Sequence, residues 1–168
     1  MKDNKFVIAV YADNQYGVLT RVTSMFTRRG FNIDALTVGE TEDPAYSRIT
    51  ISLSGDGYAR EQLINQMKKL YNVKKVEVLD DDECIKRELM LIKVRNEREN
   101  RADIQFAVDA YRAKVVDYTN EAMCIEVTGD PGKIDAFVDL MKPFGIIEMC
   151  RTGIVALERG TTSLLDKK

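Results

Sequence analysis

The chain has no histidine and no tryptophan among its 168 residues, and only three prolines and three cysteines. Without histidine there is no Ser-His-Asp or Cys-His catalysis and no His-ligated zinc, and the commonest general base near neutral pH is missing. Any chemistry of its own would fall to carboxylates and lysines. The cysteines (Cys84, Cys124, Cys150) are odd in number and lack C-x-x-C spacing, which reads as reduced thiols in a reducing compartment. An excess of one charge is also lacking: 25 Lys plus Arg stand against 27 Asp plus Glu, for a net charge of -2. A chain so balanced carries no broad positive field for nucleic acid. No apolar run approaches the ~18 residues of a membrane span. Met1 to Lys5 leads straight into the short stretch Phe6 to Tyr11, unlike a signal peptide or an Arg/Ser-rich organelle leader. The expectation is a soluble, cytoplasmic, globular chain. Its 45% hydrophobic and 31% charged residues suffice for one moderate domain or two of about 80 residues each.

Phe6 to Tyr11 is a nearly continuous apolar run, the pattern of a strand covered on at least one face. Val18, Leu19, Val22, Met25 and Phe26 then recur at helical spacing, with Arg21, Arg28 and Arg29 turned outward and Gly30 as the stop. Phe31 to Val38 reads as a second strand, Glu42-Asp43-Pro44 as a turn, and Arg48 to Leu53 as a third strand. Ser54-Gly55-Asp56-Gly57 offers a cap for a second helix with Leu63, Ile64, Met67, Leu70 and Tyr71 on its apolar stripe. Val73 to Leu79 closes the series. Strand, helix, strand, strand, helix, strand is the ferredoxin-like order, an antiparallel sheet with two helices on one face. Four carboxylates, Asp80 to Glu83, then mark a boundary. The order repeats: a strand at Leu89–Val94, a helix through Ile104, Ala107, Val108 and Tyr111, and strands at Val115-Val116 and Met123–Val127. A helix through Ile134, Phe137, Val138 and Met141 and a strand at Ile146–Met149 complete it. The fold class expected is α+β, two tandem ferredoxin-like βαββαβ domains.

The most informative stretch is Asp13-Asn14-Gln15-Tyr16-Gly17-Val18-Leu19, where the first strand turns into the first helix. A helix N-terminus offers unsatisfied N–H groups and partial positive charge to a carboxylate. Gly17 would let a ligand approach the backbone, and Asn14 supplies a donor and an acceptor for a zwitterion's two ends. Asp and Asn equally favour a plain cap and turn there. Asn32, opening an otherwise apolar strand, has the same two readings. Asp80 to Glu83 lacks the spacing and central Gly of a calcium loop, and no phosphate-loop pattern is present. Met90, Met123 and Met149, with Cys124 and Cys150, fall in strand-like runs and read as buried core residues. Glu40, Glu42 and Asp43 crowd a turn with no evident apolar pocket to raise a pKa. The aromatic strand motif of RNA-binding ferredoxin-like domains is absent. No catalytic constellation is visible.

Several stretches occur in a specific order: Asn14-x-x-Gly17-Val18-Leu19-x-Arg21-Val22, Arg29-Gly30-Phe31-Asn32-Ile33-Asp34-Ala35-Leu36-Thr37-Val38, and Ser47-Arg48-Ile49-Thr50-Ile51. Further on come Arg87-Glu88-Leu89-Met90-Leu91-Ile92-Lys93-Val94, Gly132-Lys133-Ile134-Asp135-Ala136-Phe137, and Arg151-Thr152-Gly153-Ile154-Val155-Ala156-Leu157-Glu158-Arg159-Gly160. Together, across about residues 5 to 160, the sequence resembles the regulatory (small) subunits of acetolactate synthase, also called acetohydroxyacid synthase.

The resemblance implies an effector-binding ACT domain over 4–79, an acidic linker at 80–86, a ferredoxin-like C-terminal domain over 87–160 and a tail at 161–168. It implies a homodimer joined through ACT edge strands, with a branched-chain amino acid, valine foremost, bound across the interface. Asn14 and Gly17 match the family's strand–helix loop, and Asn32 and Ile33 match the pair opening its second strand. Gln15-Tyr16 departs from the acidic, small or Pro-like residues common between the first two. Val18, Ile33 and Leu36 would enclose the isopropyl group. The implied partner is the catalytic large subunit, which carries thiamine diphosphate, Mg²⁺ and FAD and condenses two pyruvates, or pyruvate with 2-oxobutyrate, with loss of CO₂. This chain would hold no cofactor and no catalytic site, would activate that subunit and would confer feedback inhibition by valine. The alternatives are a free-standing ACT-type amino-acid sensor acting on another enzyme or a transcription factor, and an enzyme working through carboxylates or Lys.

Overall fold

The computed structural model describes residues 5–28, 30–80 and 82–166. The expectations placed on residues 1–4, Arg29 and Asp81 lie outside them. The first half runs β1 (Lys5–Asp13), α1 (Val18–Arg28), β2 (Ile33–Glu40), β3 (Tyr46–Ser54), α2 (Gly57–Met67) and β4 (Val73–Val78). The second runs β5 (Cys84–Arg95), α3 (Arg101–Ala110), β6 (Lys114–Tyr118), β7 (Ala122–Gly129), α4 (Pro131–Met141), a 3-10 turn (Lys142–Phe144), β8 (Ile146–Arg151) and β9 (Val155–Glu158). The expected βαββαβ order is present twice. Tertiary packing divides the chain into one unit of residues 1–85 with 154–168 and another of residues 86–153.

In the first unit the antiparallel strands lie in the order β2-β3-β1-β4. Val18, Val22 and Phe26, spaced four apart, put one face of α1 on the sheet, while Leu63 and Met67 do the same for α2. They pack on Phe6, Ile8, Val10 and Ala12 of β1 and Ile49, Ile51 and Leu53 of β3. Gly30 ends the first helix with φ of 70°, a left-handed conformation open to glycine at little cost. The second helix is shorter than its sequence stripe suggests. It is capped by Asp56, which accepts from the Ala59 N–H at 2.7 Å, and ends at Met67, so Tyr71 falls in the following turn and is exposed.

The opposite face of this sheet is also covered. Val7, Ala9 and Tyr11 of β1 are buried against Leu79, Cys84, Ala156 and Leu164. β9 pairs with β5, and beside that pairing the Arg159 N–H donates to the Glu83 carbonyl at 2.9 Å. Two sequence expectations change here. The stretch expected as a solvated linker at 80–86 leads into β5 from Cys84, whose side chain is buried. Residues 154–160, expected in the C-terminal domain, and the described part of the 161–168 tail fold back onto the first unit, drawn by burial of Ala156 and Leu164.

In the second unit the order is β6-β7-β5-β8, with α3 and α4 packed on one face. Asp130 caps α4 by accepting from the Lys133 N–H at 2.9 Å, with Pro131 at the first helical position. Met90, Ile92, Met123, Ile125 and Val127 fill the core with Ile104, Ile134 and Phe137. Met149 and Cys150 are exposed, contrary to the core reading, and Cys124 is half-buried. The reason is position: β8 is an edge strand, so little protein lies against it. Arg151, which ends it, holds both oxygens of buried Glu88 at 2.7 Å and Asp135 of α4 at 2.7 Å.

Candidate functional site

The loop between β1 and α1 is fixed at both ends. On its first side the Asn14 N–H donates to the Ala45 carbonyl at 2.7 Å, and its side-chain amide donates to Glu40 Oε1 at 3.1 Å and the Pro44 carbonyl at 3.0 Å. The amide's donors are thus spent on the end of β2 and the β2–β3 turn, which leaves the Asn14 Oδ1 to accept from an incoming ammonium. Gly17 follows at φ of 79°, with open space where a Cβ would stand. Its glycine is required by backbone conformation rather than by crowding. The Arg21 N–H donates to the Gly17 carbonyl at 3.0 Å, closing the first helical turn. N–H groups ahead of that bond are those a helix start leaves without helical acceptors, a place for a carboxylate.

Val18 is buried in the first core, whereas Ile33 and Leu36 are half-buried against it. Asn32 is exposed and lies at the other end of the sheet. Register settles this: Asp13 of β1 pairs with Tyr46 of β3, and Glu40 of β2 with Ser47, so both strands end beside the start of β3. Ile33 pairs with Leu53, near where Lys5 pairs with Ser54. Seven residue steps at roughly 3.3 Å each separate Ile33 from Glu40, about 23 Å. A single chain therefore brings Asn14, Gly17 and Val18 together but not Asn32 with them.

Beneath the loop lies Asn72, a buried polar side chain. Its carbonyl oxygens receive the Arg21 guanidinium at 2.8 Å (side chain) and the Asp13 N–H at 2.8 Å (backbone), and its amide donates to Asp13 Oδ2 at 3.1 Å. Lys74 completes the group 3.0 Å from Asp13 Oδ1, and its ammonium holds the Asp13 carboxyl below the usual carboxylate value. Neither Asn72 nor Glu40 was marked as a site residue by the sequence. Glu40 did stand out as part of a carboxylate-rich turn. In the structure that turn borders a cleft of about 530 Å³ lined by Glu40, Glu42, Arg48, Glu158, Tyr11 and Leu164, among others. Arg48 donates to the Ala156 carbonyl there at 2.8 Å and lies 3.7 Å from Glu158. Among the described residues no group of three or more Cys, Asp or Glu is placed to hold a metal ion, and no helix is long and apolar enough to cross a membrane.

Two ferredoxin-like sheets, the first with a polar loop at a helix start and an unpartnered edge strand, define the ACT-type class of tandem-domain proteins. The narrower assignment comes from relatives. Residues 8–75 match the model of the acetohydroxyacid synthase small subunit-like ACT domain, and residues 87–160 match that of the small subunit of acetolactate synthase. A "probable acetolactate synthase small subunit" of Archaeoglobus fulgidus is 46% identical over 156 residues, covering 93% of this chain and 98% of that one. The acetolactate synthase small subunit of Mycolicibacterium smegmatis is 44% identical over 153 residues, covering 91% and 90%. The crystal structure of the Thermotoga maritima small subunit superposes with a TM-score of 0.85 at 38% identity, covering 95% of this chain and 99% of that one. The chain belongs to the acetolactate synthase small-subunit family.

Proposed function

We propose that this chain works as a regulatory homodimer that activates the catalytic large subunit of acetolactate synthase and carries the valine site for its feedback inhibition. The supporting observation is the separation of the two asparagines. β2 is an edge strand with one side unpaired, an open template for a second copy. If two β2 strands pair antiparallel about a two-fold axis, the Ile33 end of one lies beside the Glu40 end of the other. Asn32 of one copy then approaches Asn14 and Gly17 of its mate, and the site is completed twice.

In this arrangement valine's carboxylate meets the N–H groups at the start of α1. Its ammonium meets the Asn14 carbonyl oxygen, and Asn32 reaches in from across the axis. Ile33 and Leu36, only half-buried in one chain, keep apolar surface for the isopropyl group. Val18, buried in the core beside Asn14 and Gly17, supports the loop from beneath rather than lining the pocket. A ligand touching both copies biases their mutual orientation, and coupling of that kind changes activity by roughly 5- to 150-fold. Thiamine diphosphate, Mg²⁺ and FAD belong to the large subunit, and the complex works in the cytoplasm.

The test is calorimetric titration of the purified protein with L-valine beside Asn14→Ala, followed by inhibition of the reconstituted complex. Saturable binding by wild type, lost in the variant with activation retained, is the expected result. Inhibition of the variant complex at the wild-type valine concentration would refute the site.

A further inference from the structure

We infer that Asn72, more than fifty residues from the effector loop in sequence, is the positioning residue that sets the loop's shape and hence its affinity for effector. The inference rests on the effector reading of the Asn14–Gly17 loop. Asn72 grips the loop by both shoulders. On the entering side its backbone carbonyl accepts the Asp13 N–H at 2.8 Å and its side-chain amide donates to Asp13 Oδ2 at 3.1 Å. On the leaving side its side-chain oxygen accepts from Arg21 Nη1 at 2.8 Å, and Arg21 closes the first turn of α1 through Gly17. One buried side chain thus spans the four residues from Asn14 to Gly17.

The chain needs such a clamp. Gly17 has the widest backbone freedom of any residue type, and Gln15, Tyr16 and Gly17 are all exposed, with no core to hold them. On the β4 side the ladder also shifts register between Tyr11 and Ala12, just before Asp13, so regular pairing there does not carry into the loop, and only the β3 side runs on to Asn14. Ordering the loop before the ligand arrives removes an entropy cost from binding. Asn72 does this through two charged neighbours, Asp13 and Arg21, and hydrogen bonds to charged groups are the stronger kind. Asn suits the post because it donates to the carboxylate and accepts from the guanidinium with the same amide. An Asp there would keep Arg21 and repel Asp13.

The experiment compares Asn72→Ala, Arg21→Met and Arg21→Lys in the full small subunit, alone and reconstituted with its catalytic subunit. In the complex, Asn72→Ala should raise the half-inhibitory valine concentration by about tenfold or more, the scale of a lost charge-assisted bond. Valine-free activation should stay unchanged, a split that simple loss of fold would not produce. Arg21→Met, at an exposed position, should show a smaller shift. Arg21→Lys should restore most of the wild-type response. In the free subunit, amide exchange at Gly17 and Leu19 should quicken in Asn72→Ala and Arg21→Met. Wild-type inhibition in both Asn72→Ala and Arg21→Met would overturn the inference. Should the wild-type complex ignore valine, the effector reading fails, and exchange rates decide the clamp alone: unchanged exchange in Asn72→Ala and Arg21→Met refutes it.

Discussion

The two units share an order of elements but differ on the face of the sheet that the helices leave bare. In the first, β1 is buried on both sides: Ile8, Val10 and Ala12 face the helices, and Val7, Ala9 and Tyr11 lie under the returning segment. In the second, β7 alternates, with Met123, Ile125 and Val127 buried and Thr128 exposed, while Leu91 on β5 is 40% exposed. A strand's hydrophobic pattern therefore reports how many layers cover it rather than which fold it serves.

Charge placed on the two bare faces should separate the units most strongly. Ala9→Glu puts a carboxylate into a fully buried site and should cost about 3 kcal/mol or more. Leu91→Glu should cost less than about 1 kcal/mol. Hydrogen exchange of the Ile8 and Ile125 amides reads each unit separately, and equal losses would contradict the difference in cover. Next in size is the cover itself. Leu164→Ala should weaken the first unit by about 2 to 4 kcal/mol, while its exposed neighbour Leu165 can be trimmed to Ala for about 0.5 kcal/mol or less. A smaller effect is expected at the α4 cap, where Asp130→Ala should cost the second unit about 1 kcal/mol. The Lys133 N–H holds the Asp130 carboxyl below its ordinary value. Its contribution is therefore full above about pH 4 and fades as pH falls through the depressed value. A wild-type acid profile for the second unit that Asp130→Ala leaves unaltered would remove the cap's role.

Much of this architecture was legible in the residues. Spacing marked the four α-helices of the described residues, and the continuous run at Phe6 asked for cover on at least one face. Ser54-Gly55-Asp56-Gly57 and Gly30 marked a helix start and a helix end. Periodicity could not show that β8 is an edge strand, so Met149 and Cys150 were read as buried. Nor could it show where Val155–Glu158 goes, because a four-residue strand carries too few positions to declare its partner. The candidate site was half readable. Asn14 and Gly17 stand where a strand becomes a helix, a local signal. Asn72 sits in a turn with nothing in its neighbourhood to mark it, since its role comes entirely from what the sheet brings beside it.

The returning segment also has a consequence for the order in which the molecule matures. During synthesis residues 5–80 emerge first, yet one face of their sheet stays bare until the whole of residues 86–153 and then Ile154 to Leu164 have followed. Contacts between segments so distant in sequence form late and slowly. The nascent first unit therefore spends that interval with Val7, Ala9 and Tyr11 open to any passing apolar surface, and a nonsense codon near position 154 would damage the earlier-made unit rather than the later one.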